Sequence, residues 1–271
     1  MQELLIEAGH AERQYWRDVW RYRELLYFLA WRDILVRYKQ TVVGVTWSLI
    51  RPFLTMVVLT VVFGRLANMP SGGVPYPILV FCGMLPWQFF ATAISESSNS
   101  LITNGALISK VYFPRMTIPA SSVITSLVDF AVSAGLLAVL MVWYAHVPTI
   151  RILFLPGFVL LALAAAFGMG LWISALMVNY RDFRFVVPFI VQFGLYVSPI
   201  GFSSDVVPEQ WRLLYSLNPM VGVIDGFRWA ILRDVSLNLP GFATSLVVIS
   251  LVLITGVRYF RSTERTFADV I

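Results

Sequence analysis

Long uncharged runs alternate with short charged segments along the whole chain. Counted between ionisable residues other than histidine, the uncharged runs cover 66–95, 130–150, 152–180, 185–204 and 235–257. Two further apolar stretches are each interrupted by one charge, 42–64 by Arg51 and 116–150 by Asp129. About 20 mostly apolar residues are enough for a helix to cross a bilayer. We therefore expect six membrane-spanning helices, near 43–66, 77–97, 117–144, 153–177, 185–203 and 239–260.

The composition agrees with an all-α integral membrane protein. Of the 271 residues, 58% are hydrophobic and 13% are charged, whereas soluble domains have about 45–50% apolar and about 25% charged residues. A soluble domain of this size has too little interior to bury so much apolar surface. We expect one transmembrane domain over 1–271, with cytoplasmic interface helices over 1–41, six spans over 42–260 and a cytoplasmic tail over 261–271.

The distribution of basic residues predicts the orientation. Fourteen of the 20 Lys and Arg residues lie before the first span or in loops on that same side, and five lie on the opposite side. Basic residues favour the cytoplasmic face, so both termini are expected in the cytoplasm. The first forty residues also lack the compact apolar core of a cleavable signal peptide.

Residues 12–31 predict an amphipathic helix. At about 100° per residue, apolar residues fall on one face and arginines and acids on the other. Tryptophan and tyrosine opposite arginine are typical of a helix lying flat among lipid headgroups, and docking on a partner protein is the alternative. The two can coexist. The apolar face contains Tyr15, Trp16, Val19, Trp20, Leu26, Tyr27 and Ala30.

Two loops stand out between the spans. The inner loop 98–116 contains a short helix-like piece from Leu101 to Ile108 and ends at Pro114, which stops a helix. The longest outer segment, 204–238, is rich in proline and aromatic residues and predicts one or two short helices that dip back toward the membrane.

The sequence excludes several kinds of chemistry. The single cysteine rules out a disulfide framework and a cysteine-rich metal site, and the two histidines argue against a histidine-built metal site. A P-loop requires Gly-Lys followed by Ser or Thr, but Lys39 precedes Gln40 and Lys110 precedes Val111. We therefore expect no bound cofactor and no ATP hydrolysis by this chain. If it pumps with ATP, another subunit hydrolyses it.

Two charged residues lie inside expected spans. Asp129 marks either a transport path or an acid hydrogen-bonded to Ser126 or Ser133, because an intramembrane charge is costly and no cationic partner is visible at its depth. Arg51 either extends to the inner headgroups or contacts a lipid phosphate. Aromatic residues could line a route for sugars, and interfacial belts or helix packing are the alternative.

Five segments together resemble membrane subunits of bacterial polysaccharide ABC exporters, a type-2 ABC permease family. These exporters carry O-antigen, capsule or teichoic acid on lipid or lipid-phosphate anchors. The segments are 37–52, 83–90, 107–115, 179–183 and 217–220, in the family's order and across nearly the whole chain.

The resemblance implies a homodimer with the type-2 ABC exporter fold in the bacterial inner membrane. Two separate subunits would use ATP and Mg, and a channel between the permeases would export polyprenyl pyrophosphate-linked polysaccharide, with O-antigen the expected cargo. We expect the chain to contact membrane lipids and not to bind nucleic acid.

The resemblance also implies roles for parts of the chain. The N-terminal helix and inner loop would couple to the ATPase through Trp16, Trp20, Leu101, Asn104, Leu107 and Ile108. Segment 204–233 would form outer gate helices. Channel and gate residues would be Trp87, Phe90, Asp129, Trp172, Phe189, Phe193, Tyr196, Trp211 and Phe227. From charge and depth alone, we expect the lipid pyrophosphate near Arg32, Arg37, Lys39 and Arg51.

Two other functions are open alternatives. A membrane-embedded sugar or phosphoalcohol transferase would need acids or histidines clustered at one membrane face, whereas the 15 acids are scattered. The same fold could also export a drug or a simple lipid.

Overall fold

The computed structural model describes residues 11–39, 42–180, 182–233 and 235–267, and no β-strand occurs among them. The N-terminal helices are α1 (Ala11–Arg21) and α2 (Arg23–Lys39). The remaining α-helices are α3 (Val42–Leu59), α4 (Tyr76–Thr103), α5 (Gly105–Ile108), α6 (Thr117–Trp143), α7 (Leu155–Asn179), α8 (Phe183–Val197), α9 (Glu209–Tyr215), α10 (Pro219–Ile231) and α11 (Leu239–Thr263). A π-helical segment, Thr60–Leu66, extends α3, and 3₁₀ turns cover Ile150–Phe154, Ser204–Val206 and Glu264–Thr266.

Five helical segments are long and apolar enough to cross a membrane, and the sixth expected span is shorter. The five are Ser48–Leu66, Tyr76–Thr103, Thr117–Trp143, Ile150–Asn179 and Leu239–Thr266. The remaining expected span, 185–203, corresponds to α8, which has only 15 residues. It ends before Ser198-Pro199, since the residue before a proline disfavours helical geometry.

Helix α4 lies at the centre of the bundle and is buried on most sides. It packs against α6 and α7, and α10 inserts among α4, α7 and α11. Helices α7 and α11 approach closely at two glycines: a Cβ on Gly256 would lie 2.3 Å from the Gly168 carbonyl oxygen. Small residues at such crossings let membrane helices pack backbone to backbone.

The N-terminal region is longer and more bent than the expected single helix over 12–31. A turn at Tyr22 separates α1 from α2, and α2 continues to Lys39. Helix α2 packs mainly against α6. Leu29 and Ala30 are buried, whereas Trp20 and Tyr27 are exposed. The exposed aromatic residues leave an apolar surface on the outside of these helices.

Candidate functional site

An ion-pair cluster joins α2 to two spans. The Arg37 guanidinium forms ion pairs with Glu96 of α4 and Asp129 of α6, and the Tyr38 hydroxyl donates a hydrogen bond to Asp129. The side chains of Arg37, Glu96 and Asp129 are 30%, 32% and 26% exposed. The expectation that Asp129 has no cationic partner at its depth was therefore wrong, because the partner comes from α2.

Two of the four cations expected at a lipid head group are engaged within the protein. Arg37 is held by two carboxylates, and Arg32 donates to Asp33 at 2.7 Å and to Asn104 at 3.0 Å. Lys39 and Arg51 are exposed and form no ion pair with any residue that the structure describes. The head-group role of all four residues stays a prediction.

The expected coupling residues divide into exposed and buried groups. Trp16 and Trp20 of α1 are exposed, whereas Leu101 and Ile108 are buried in a second apolar cluster, apart from the main core, with Leu29 and Phe260. Leu107 packs on the edge of that cluster. Asn104 is half-buried; its side-chain oxygen accepts from Arg32, and its amide donates to the Ser100 carbonyl at 2.9 Å. Contact of these residues with an ATPase stays a prediction.

A second attachment, not expected from the sequence, joins α1 to the end of α11. The Tyr15 hydroxyl donates to Glu264 at 2.8 Å, and the Arg261 guanidinium lies 4.6 Å from the Tyr15 ring centroid. Arg115 donates to the Glu264 carbonyl oxygen. Burial and the neighbouring Glu264 carboxylate raise the pKa of the Tyr15 phenol, so the phenol stays protonated and donates.

Three of the expected channel residues form an exposed aromatic stripe on α8. Phe189, Phe193 and Tyr196 follow helical spacing on one face and are all exposed, and the first two rings stack with centroids 5.9 Å apart. Behind them, the Trp87 ring packs against α8 so closely that a Cβ on Gly194 would lie 2.3 Å from it.

Three other expected channel and gate residues lie inside the subunit. Trp87, Phe90 and Phe227 are buried in the main core, and Trp172 stacks on Tyr259 with ring centroids 5.0 Å apart. Trp211 of α9 is exposed. The structure thus places the α8 stripe and Trp211 at the surface and the other aromatic residues in packing positions, and it places Asp129 in the ion-pair cluster. A channel or gate role for each stays a prediction.

Helix α10 contains a buried arginine whose partners the sequence did not indicate. Asp225 and Arg228 are spaced as a local helix pair, but they form no ion pair among the described residues. Arg228 is instead 2% exposed and donates to the carbonyl oxygens of Phe202 at 2.7 Å and Ile200 at 2.9 Å. Asp225 accepts a hydrogen bond from the Ser204 hydroxyl.

The carbonyls of Ile200 and Phe202 belong to a turn, residues 198–202, that follows α8. Further side chains form hydrogen bonds with this turn or with the residue just before it. Tyr76 of α4 donates to the Gly201 carbonyl at 2.6 Å, and Tyr215 of α9 donates to the Val197 carbonyl at 2.8 Å. The Asn218 amide lies 3.0 Å from the Ser198 hydroxyl. A proline and a glycine just after a short apolar helix were the available sequence signal for this turn.

Residues 24–232 match the model of the family described as "ABC-2 type transporter". Relatives that match nearly the whole chain include the O-antigen export system permease protein RfbA of Myxococcus xanthus, 28% identical over 94% of this chain and 98% of the relative. The RfbA protein of Klebsiella pneumoniae is 26% identical over 92% of this chain and 95% of the relative. The polysialic acid transport protein KpsM of Escherichia coli is 24% identical over 86% of this chain and 91% of the relative.

Proposed function

This chain belongs to the ABC-2 type transporter family, and on that premise we propose that it is the membrane permease of an exporter of lipid-linked polysaccharide, with O-antigen as the expected cargo. The observation that carries the proposal is the similarity, over nearly the full length of each relative, to permease and transport proteins for O-antigen and polysialic acid. The family implies an ATP-binding partner subunit, which supplies the energy from ATP and Mg.

The exposed aromatic stripe on α8 supports a path for glycan. Phe189, Phe193 and Tyr196 present ring faces at the protein surface, and aromatic faces offer apolar area that sugar rings can pack against. A stripe of this kind becomes an enclosed route when a second copy of the chain covers it. The proposal therefore includes a homodimer in the inner membrane with α8 facing the partner.

The exposed cations at the inner end support a contact with the pyrophosphate of the lipid anchor. Lys39 and Arg51 are exposed near the start of the first span, and a guanidinium binds phosphate oxygens in a bidentate manner. Arg37 is neutralised by Glu96 and Asp129. It is therefore a weaker candidate for the head group than Lys39 or Arg51.

The contacts of α2 support a route for coupling ATP hydrolysis to transport. Asn104, next to α5, is bonded to Arg32 near the middle of α2, and Arg37 at the end of α2 is paired with α4 and α6. A displacement of α5 by the ATPase would move α2, and α2 would move both spans.

The test is a strain that lacks the gene, in which polymer is quantified on each side of the inner membrane. Lipid-linked polysaccharide that accumulates in the cytoplasm, with none at the surface, supports the exporter. Absence of polymer on both sides indicates a transferase instead. Normal surface polymer indicates another cargo, such as a drug or simple lipid. Complementation by the intact gene is the control.

A further inference from the structure

Helix α8 is too short to cross a bilayer by itself. Its 15 residues span about 22 Å at about 1.5 Å per residue, less than the hydrocarbon core of about 30 Å. The chain then leaves the helix in the turn 198–202, whose backbone carbonyls have no helical partners. At membrane depth such backbone groups are tolerated only when protein groups satisfy them.

Arg228 satisfies carbonyl groups of the turn that follows α8. It donates to the carbonyls of Ile200 and Phe202 in the turn 198–202 and, at 3.4 Å, to that of Leu79 in α4. The side chain is fully enclosed by these elements. Arginine suits the position because its planar guanidinium has five donors and remains charged in an apolar environment.

Two glycines let the turn approach its neighbours closely. A Cβ on Gly83 of α4 would lie 3.0 Å from Nη2 of Arg228 and 3.2 Å from the Ile200 Cα. A Cβ on Gly201 would lie 2.4 Å from the ring of Phe63, in the π-helical extension of α3. The turn is therefore held between α3, α4 and α10, with no space for even one added methyl group at Gly201.

We propose that Arg228 is a positioning residue for export: by holding the carbonyls of turn 198–202, it sets the depth and rotation of α8. We call the hydrogen bonds from Arg228 to the carbonyls of Ile200 and Phe202 the clamp. The exposed stripe of Phe189, Phe193 and Tyr196 lies on α8, so the placement of the stripe depends on the clamp. The role of the stripe rests on the proposed function, whereas the clamp rests on the contacts of Arg228 alone.

The experiment measures α8 position and export separately in the dimer with its ATPase. A cysteine at Val197, exposed at the end of α8, reports position through its rate of labelling by a membrane-impermeant maleimide, since the native Cys82 is buried. In the protein that carries the Val197 cysteine, Arg228→Lys keeps the positive charge but loses the planar guanidinium with its several N–H donors. The matched control is Arg233→Lys, an exposed arginine that donates to one carbonyl.

We expect Arg228→Lys to change the labelling rate and to lower export per complex, each by about tenfold, because charge-assisted hydrogen bonds are lost. Arg233→Lys should change neither. Unchanged labelling overturns the clamp. Changed labelling with normal export overturns the role in transport, and the clamp itself then stands even if the cargo is not a polysaccharide.

A second variant decides the matter if Arg228→Lys does not reach the membrane. Gly201→Ala pushes the turn against Phe63 and leaves the buried charge untouched. Altered labelling with reduced export supports the proposal. Wild-type values for both measurements in Gly201→Ala overturn it.

Discussion

Arg37, in the last turn of α2, is paired with Asp129 of α6, although 92 residues separate them in the chain. The same guanidinium also pairs with Glu96 of α4. One side chain thus attaches an N-terminal helix to two helices that are long and apolar enough to cross a membrane. Among the described residues neither carboxylate has another cationic partner, so the loss of Arg37 leaves both without charge compensation.

Replacement of Arg37 by glutamine should destabilise the protein, because it leaves two half-buried carboxylates without a cation. We expect the free energy of unfolding to fall by about 1–3 kcal/mol, measured by denaturation of the purified permease in detergent. Arg51→Gln is the control and should change it by less than about 0.5 kcal/mol. The double variant Arg37→Gln with Asp129→Asn should cost less than the two single losses added together; strict additivity would show that the pair contributes nothing.

Replacement of Lys39 and Arg51 together by glutamine should weaken the contact with the lipid pyrophosphate. We expect about a tenfold lower stimulation of ATP hydrolysis by the lipid-linked polysaccharide in reconstituted vesicles, since charge-assisted bonds to phosphate are lost. Thermal stability should be unchanged. Arg65→Gln, at the opposite end of the first span, is the matched control. Equal stimulation in the double variant and the wild type would remove these residues from the head-group site.

Bulk added to α5 should uncouple ATP hydrolysis from export. Ala106 is exposed on this short helix, so Ala106→Trp changes the surface offered to the ATPase and leaves the buried Leu101 and Ile108 in place. We expect ATP hydrolysis to continue while export per hydrolysed ATP falls about tenfold. Ala243→Trp, exposed at the other end of the bundle, is the control, and an unaltered ratio in Ala106→Trp would contradict a coupling role for α5.

A methyl group at the α7–α11 crossing should destabilise the bundle. Gly256→Ala would place a Cβ 2.3 Å from the Gly168 carbonyl oxygen, so the two backbones must separate. We expect a loss of about 1–3 kcal/mol in the free energy of unfolding, seen as a lower melting temperature. Gly157→Ala, where a Cβ meets nothing within 4 Å, should be neutral or slightly stabilising. Equal melting temperatures for the two variants would contradict the close crossing.

The sequence by itself determined the family and the type of architecture. Membrane helices are encoded locally, because each needs its own continuous apolar run and satisfies its backbone within itself. Five of the six expected spans therefore correspond to long apolar helices, and the family resemblance is confirmed by the match over 24–232. The cytoplasmic placement of the termini and the single-domain boundaries stay predictions.

Only the tertiary structure decided which polar groups meet. Asp129 looked unpartnered because its cation lies on α2, and Arg228 looked like a helix-surface partner of Asp225 because spacing does not reveal burial. Likewise, the aromatic residues Trp87 and Phe189 look equivalent in sequence, yet one is buried and the other exposed. The physical reason is that an apolar run specifies a helix within a membrane, whereas the pairing of charges and the inward face of each helix depend on how all the helices pack.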